Sequence, residues 1–139
     1  MQPTLYILMR DDLDSLNPGK AIAQGSHATN DFEYALSQYP HEEPNLQAAV
    51  QQWRADRSFG LCYTLAANEA QIDLAEDMAI DAGYPCGKII DPTYPIKDGK
   101  VTHYIPLLTC GWVFVYEKEK SEIVVNQLLR TLRQLPLYK

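Results

Sequence analysis

Short apolar runs and stripes of 3.6-residue period alternate along this chain. Thr4-Leu5-Tyr6-Ile7-Leu8-Met9 is a run of strand formers too short for a helix, closed by the polar turn Asp11 to Ser15. Asn17-Pro18 pairs an N-cap with proline at the first helical position, so a first helix is predicted from Pro18, stopping before Pro40. Its periodicity puts Ile22, Gly25, Thr29, Phe32 and Leu36 on one inward face. A polar connection from His41 to Asn45 leads to Leu46, Ala49, Val50 and Trp53, the stripe of a second helix reaching about Arg57. Phe59 to Leu65 reads as a second strand.

Asn68, with Gln71 three residues on, forms a capping box for a third helix, whose stripe is Ile72, Ala75, Met78, Ala79 and Ala82 and whose stop is Gly83. Cys86 to Asp91 is a third strand and Leu108 to Val115 a fourth. Asp91-Pro92-Thr93-Tyr94-Pro95 between them is expected to be a loop, and Lys97-Asp98-Gly99-Lys100 carries the signal of a tight turn. Ser121 caps a last helix with Ile123, Val124, Leu128, Leu132 and Leu135 as its stripe. The order β-α-α-β-α-β-β-α gives every helix a face to bury on a sheet, which predicts an α/β/α sandwich.

The 139 residues fit one domain spanning 1–139, and 46% hydrophobic residues supply a core without a disulfide or metal. Met1-Gln2-Pro3-Thr4 lacks the basic start of a signal peptide, and no apolar run approaches the ~20 residues that cross a bilayer. Cys62, Cys86 and Cys110 are odd in number and form no CxxC, which suits a reducing cytoplasm. A soluble, cytoplasmic protein without a membrane partner is expected. The net charge of −6 is wrong for gripping long phosphate backbones, so any nucleic-acid contact is local. Residues 82–110 differ: Lys88, Lys97 and Lys100 against Asp91 and Asp98 leave one net positive charge. The acidic positions of the third helix, Glu69, Asp73, Glu76, Asp77 and Asp81, read as a solvated face.

No glycines form GxGxxG, and no Gly-Lys pair carries the Ser or Thr of a phosphate-binding loop. Ser26 and His27 point about 100° apart on a helix and cannot face each other as nucleophile and base. His27, His41 and His103 lack metal-ligand spacing, so neither metal nor cofactor is expected. What stands out is the line Lys20, Gln24, His27, Asp31 along the first helix, opposite the face through Ile22 and Phe32. Lys20 lies in the first turn, where unpaired amides and the helix dipole favour an anion. An ammonium there suits a phosphate or a developing oxyanion.

The segment Leu5 to Arg10, Asp12-Leu13, then Gly19-Lys20-Ala21-Ile22-Ala23-Gln24-Gly25-Ser26-His27-Ala28, resembles the opening of the type 2 peptidyl-tRNA hydrolases. The resemblance implies a three-layer α/β/α fold on a four-stranded mixed sheet, and hydrolysis of the ester joining a peptide to the 3′ end of tRNA. Position by position, Lys20, Gln24 and His27 match the helix motif, and Asp91 matches the aspartate that opens the family's Asp-Ala-Gly-x-Thr loop. Here that loop reads Asp91-Pro92-Thr93, without the glycine, so Thr93 falls on the family's threonine only with a two-residue deletion. His103-Tyr104-Ile105-Pro106 lengthens the connection to the fourth strand. Ester hydrolysis assigns Asp91 as base or water-orienting group, Lys20 as the positive charge, Thr93 as the group polarising water, and Gln24 as donor to a carbonyl or ribose. His27 serves either the substrate or, if buried, the fold. Lys88 and Lys97 complete the substrate-binding set, meeting acceptor-stem phosphates beside Lys20 and Lys100.

Three functional readings stay open on the sequence: an esterase on peptidyl-tRNA, a hydrolase of a smaller ester or amide, and a non-catalytic binding module that dimerises. All three require no cofactor.

Overall fold

The computed structural model describes residues 1–38, 43–118 and 122–139. The stop at Pro40, the connection from His41 and the cap at Ser121 fall outside them. The elements are β1 (Thr4–Arg10), α1 (Pro18–Gln38), α2 (Pro44–Ala55), β2 (Cys62–Ala67), α3 (Glu69–Ala82), β3 (Cys86–Asp98), β4 (Val101–Val115) and α4 (Glu122–Gln134). This is the order expected from the apolar pattern. The four strands form one mixed sheet, β2-β1-β4-β3, with β1 parallel to β2 and both other pairings antiparallel.

Helices α1 and α2 cover one face. Phe32 of α1 is fully buried, with its ring 5.4 Å from Trp53 of α2, 5.2 Å from Trp112 and 4.9 Å from Phe114 of β4. Such tilted and edge-on aromatic packing adds to plain area burial. On the other face Ile72 of α3 lies against Gly111, where a β-carbon would come within 2.8 Å of it, while Thr131 of α4 reaches Met78 of α3. The layers are therefore α1/α2, sheet and α3/α4. No helix among the described residues is long and apolar enough to cross a membrane.

Local signals were realised at α1 and α3. Asn17 Oδ1 accepts the Lys20 amide at 2.9 Å, Asn68 and Gln71 exchange both bonds of a capping box, and Gly83 closes α3 with φ 74°. The second strand begins later than its apolar run. Gly60 adopts φ 77°, with the Trp53 ring so close that any β-carbon there would lie 2.1 Å from it, so the chain turns under the indole before pairing starts at Cys62.

The face assigned to α1 is rotated. Its buried residues are Ala21, Gln24, Ala28 and Phe32, while Ile22 is 75% exposed. Gln24 and Asp31 of the polar line thus meet the sheet at β3 and β4. At α4, Leu128, Leu129 and Leu132 are buried, as is Leu135 just after its end, and Ile123 is exposed.

The largest correction concerns residues 92–106, expected to be a loop around a tight turn at Lys97 to Lys100; the turn is there, but its flanks are strand. Beyond the stretch that β1 covers, β3 and β4 continue as a two-stranded ribbon closed by the Gly99-Lys100 turn, with Gly99 at φ 61°. The prolines fit because Pro92 falls in an irregularity between Asp91 and Tyr94, where ladder register is already broken, and Pro95 lies on an edge strand.

Candidate active site

Gln24 connects three elements. Its side-chain oxygen accepts the Thr109 hydroxyl at 2.8 Å, and its amide nitrogen donates to Asp91 Oδ2 at 2.9 Å. A carboxylate can only accept, so Asp91 itself fixes which end of the amide faces it, and Thr109 takes the other. Asp91 Oδ1 accepts the Thr93 main-chain N–H at 2.9 Å, with the Thr93 hydroxyl 3.5 Å away. The carboxylate is thus held from both sides at the point where β3 leaves the main sheet.

Thr109 reaches Gln24 because of a bulge. Ile89 pairs with Cys110 and Ile90 with Leu108, so Thr109 is the extra residue on β4. Strict alternation would turn its side chain to the face opposite Cys110; the bulge puts both on the α1 side, where the Cys110 thiol donates to the Gln24 carbonyl at 3.5 Å. Sequence reasoning missed Thr109, because a bulge leaves no mark in an apolar run.

Lys20 lies one helical turn before Gln24, with its Nζ 5.4 Å from the centre of the Tyr94 ring. Tyr94 is buried, and its hydroxyl shares a 2.8 Å hydrogen bond with Ser15. Among the described residues no cation ion-pairs with Asp91, so the Lys20 ammonium and the carboxylate are not direct partners, and α1 reaches Asp91 through Gln24 instead. A groove of about 600 Å³ opens here between the β1–α1 loop and the ribbon, with Lys20, Asn17, Tyr94 and Lys97 in its lining.

Two assigned residues stand elsewhere. Lys88 is on the opposite face of β3 from Asp91, bonded to Asp73 at 2.7 Å and Glu76 at 3.1 Å. Those two bonds raise its pKa, Asp73 contributing most. Strand alternation sends it to α3, which also means that the acidic face of α3 is partly neutralised rather than merely solvated. His27 is exposed, not the buried histidine that the structural alternative required. Asp31, last in the polar line, accepts the Trp112 indole N–H at 2.8 Å, and Gly87 makes room for that pair: a β-carbon there would lie 2.6 Å from each.

The loop forming one wall of the groove is tied down by Arg10. This buried guanidinium donates to both Asp12 oxygens, at 2.9 and 3.1 Å, and to the Leu108 carbonyl at 3.1 Å, with Glu69 3.8 Å away. The two-pronged hydrogen bond from Arg10 holds the Asp12 carboxyl below its ordinary value. A depressed carboxylate stabilises the fold above its unfolded pKa, and that contribution disappears as pH falls through the folded value. Asp12→Asn is therefore expected to lower the urea midpoint at pH 7 by the equivalent of about 1 kcal/mol or less, since the carboxylate is 44% exposed, and to flatten the loss of stability below about pH 4. Equal slopes for the variant and the parent in acid titrations would refute this linkage.

The model of the family described as peptidyl-tRNA hydrolase PTH2 matches residues 4–130. The chain belongs to that family. No curated protein matches it. In this PTH2 protein Gln24 of α1 meets Asp91, while the glycine-less Asp91-Pro92-Thr93 segment forms strand with a break in register rather than an open loop.

Proposed function

We propose that this protein hydrolyses the ester between a peptide and the 3′-terminal ribose of tRNA, acting as a single domain that needs no cofactor. The observation that carries the proposal is Asp91, a carboxylate fixed by Thr93 and by Gln24, which lies one helical turn from Lys20 in the lining of an open groove.

In this reading a water bound to Asp91 attacks the ester carbonyl and gives its proton to the carboxylate. Negative charge develops on the carbonyl oxygen, where the Lys20 ammonium stabilises it. The tetrahedral species collapses, the acyl–oxygen bond breaks, and the proton passes from Asp91 to the departing ribose oxygen. Gln24, through Thr109, keeps Asp91 in place. Lys97 in the groove wall meets the nearest phosphate, a local contact consistent with a chain of net charge −6.

The test is release of an N-acetylated amino acid from tRNA. Lys20→Ala is expected to lower kcat roughly 10²- to 10³-fold, the usual effect of losing an oxyanion donor. Lys97→Ala is expected to raise KM and leave kcat near the parent value. A Lys20→Ala enzyme with parental kcat would eliminate the proposed role of the ammonium, and a parent with no turnover would eliminate the ester-hydrolase reading itself.

A further inference from the structure

The two edges of the sheet are treated differently. At the β2 edge the chain returns on itself: the Ala66 N–H donates to the Pro136 carbonyl at 2.7 Å, the Tyr138 N–H donates to the Thr64 carbonyl at 2.9 Å, and Leu65 bridges Leu137. At the opposite edge, β3 pairs with β4 alone, and among the described residues nothing pairs with its outer side.

Proteins protect such an edge with proline, a bulge or an outward-pointing lysine. Cys86-Gly87-Lys88-Ile89-Ile90 has no proline, and the extra residue nearby is on β4. Its one lysine is drawn off the edge by Asp73 and Glu76. Because the Phe114 N–H donates to the Pro85 carbonyl, the alternation of an antiparallel ladder turns the peptide groups of Cys86, Lys88 and Ile90 outward. Ile90 is 59% exposed, offering apolar surface next to these groups, and the stretch ends at Asp91.

We propose that this open edge binds the peptide of the substrate as an added strand, with its C-terminal ester delivered to Asp91. The inference rests on the ester-hydrolase reading given above. Chain direction follows from geometry: β3 runs toward Asp91, and a peptide whose C-terminus lies at Asp91 runs the same way, so the added strand is parallel. Main-chain pairing recognises a peptide without reading its side chains, which suits an enzyme acting on peptides of any sequence. Residues Cys86 to Ile90 span roughly 16 Å at ~3.3 Å per residue, so about five substrate residues can pair.

The test uses the full chain and tRNAs carrying N-acetylated alanyl peptides of increasing length. Expected is a rise in kcat/KM of roughly tenfold to a hundredfold over the first residues, the effect of a few added hydrogen bonds, with a plateau near about five. N-methylating single peptide amides should then weaken turnover at every second position, a period that burial in an apolar groove would not produce. Active enzyme with no dependence on length, or with no alternation, overturns the proposal. If no ester is hydrolysed, the hydrolase reading fails, while binding of tRNAs with a stable 3′-amide linkage still tests the edge: affinity independent of peptide length overturns it. A dimer seen by sedimentation that dissociates as long peptides bind supports the proposal; one that persists with bound peptide and shows no length dependence assigns the edge to a second copy of the chain and overturns it.

Discussion

Asp91→Asn is expected to reduce kcat/KM for peptidyl-ester cleavage by roughly 10²- to 10⁴-fold, the range lost when a general base is removed. The fold should hardly notice. Both Asp91 oxygens accept hydrogen bonds, from Gln24 and from the Thr93 amide, whereas asparagine offers one acceptor and one donor. Gln24 can turn its amide over, because the Thr109 hydroxyl that donates to it can also accept. The exchange should cost about 1 kcal/mol of stability, in line with a single rearranged hydrogen bond. Paired measurements decide the matter: single-turnover cleavage of N-acetyl-aminoacyl-tRNA and urea unfolding of the same preparation. A variant that unfolds like the parent and still cleaves within a few-fold of it would take Asp91 out of the chemistry.

Phe32→Ala carries the largest expected stability cost, about 3–5 kcal/mol, the usual range for emptying a buried phenylalanine site. Its ring meets Trp53, Trp112 and Phe114, so one truncation loosens the joins between α1, α2 and the central strand β4 together. Against a typical domain stability of ~5–15 kcal/mol this is a large share. Phe32→Leu should recover most of the loss by keeping apolar volume. Because Phe32 and Gln24 share the buried face of α1, the alanine variant should also lose activity before it unfolds. Unfolding midpoints for the pair, with slopes compared, provide the check; an alanine variant within about 1 kcal/mol of the parent would show that α1 is anchored elsewhere.

Much of this architecture was legible where a local signal agrees with burial. The Asn17 and Asn68 caps, the Gly83 stop and the α2 stripe through Trp53 correspond to what the structure contains. Rotation of α1 was not legible, because Ala21, Gln24 and Ala28 are less conspicuous than Ile22, and tertiary packing chose small residues for the close approach to the sheet. The ribbon was missed because prolines were read as breakers, a rule that weakens on a strand with a free side. At the site, the motif residues Lys20, Gln24 and Asp91 were nameable from the chain alone, and the structure brings Gln24 to Asp91. Lys88 was included by charge, but its direction is set by strand parity and by the carboxylates of α3. Thr109 needed a three-dimensional fact, the extra residue on β4.

The position of β1 has a consequence for how the molecule is made. Synthesised before both of its neighbours, it lies inside the sheet, with Thr4 opposite Val115 and Leu5 opposite Cys62. One flank must wait for some sixty residues of translation and the other for more than a hundred. Distant pairings of this kind slow folding and leave sticky intermediates exposed. A ribosome-bound fragment that stops short of β4 should therefore depend on chaperones, and collapse to the native state should come in a late, concerted step.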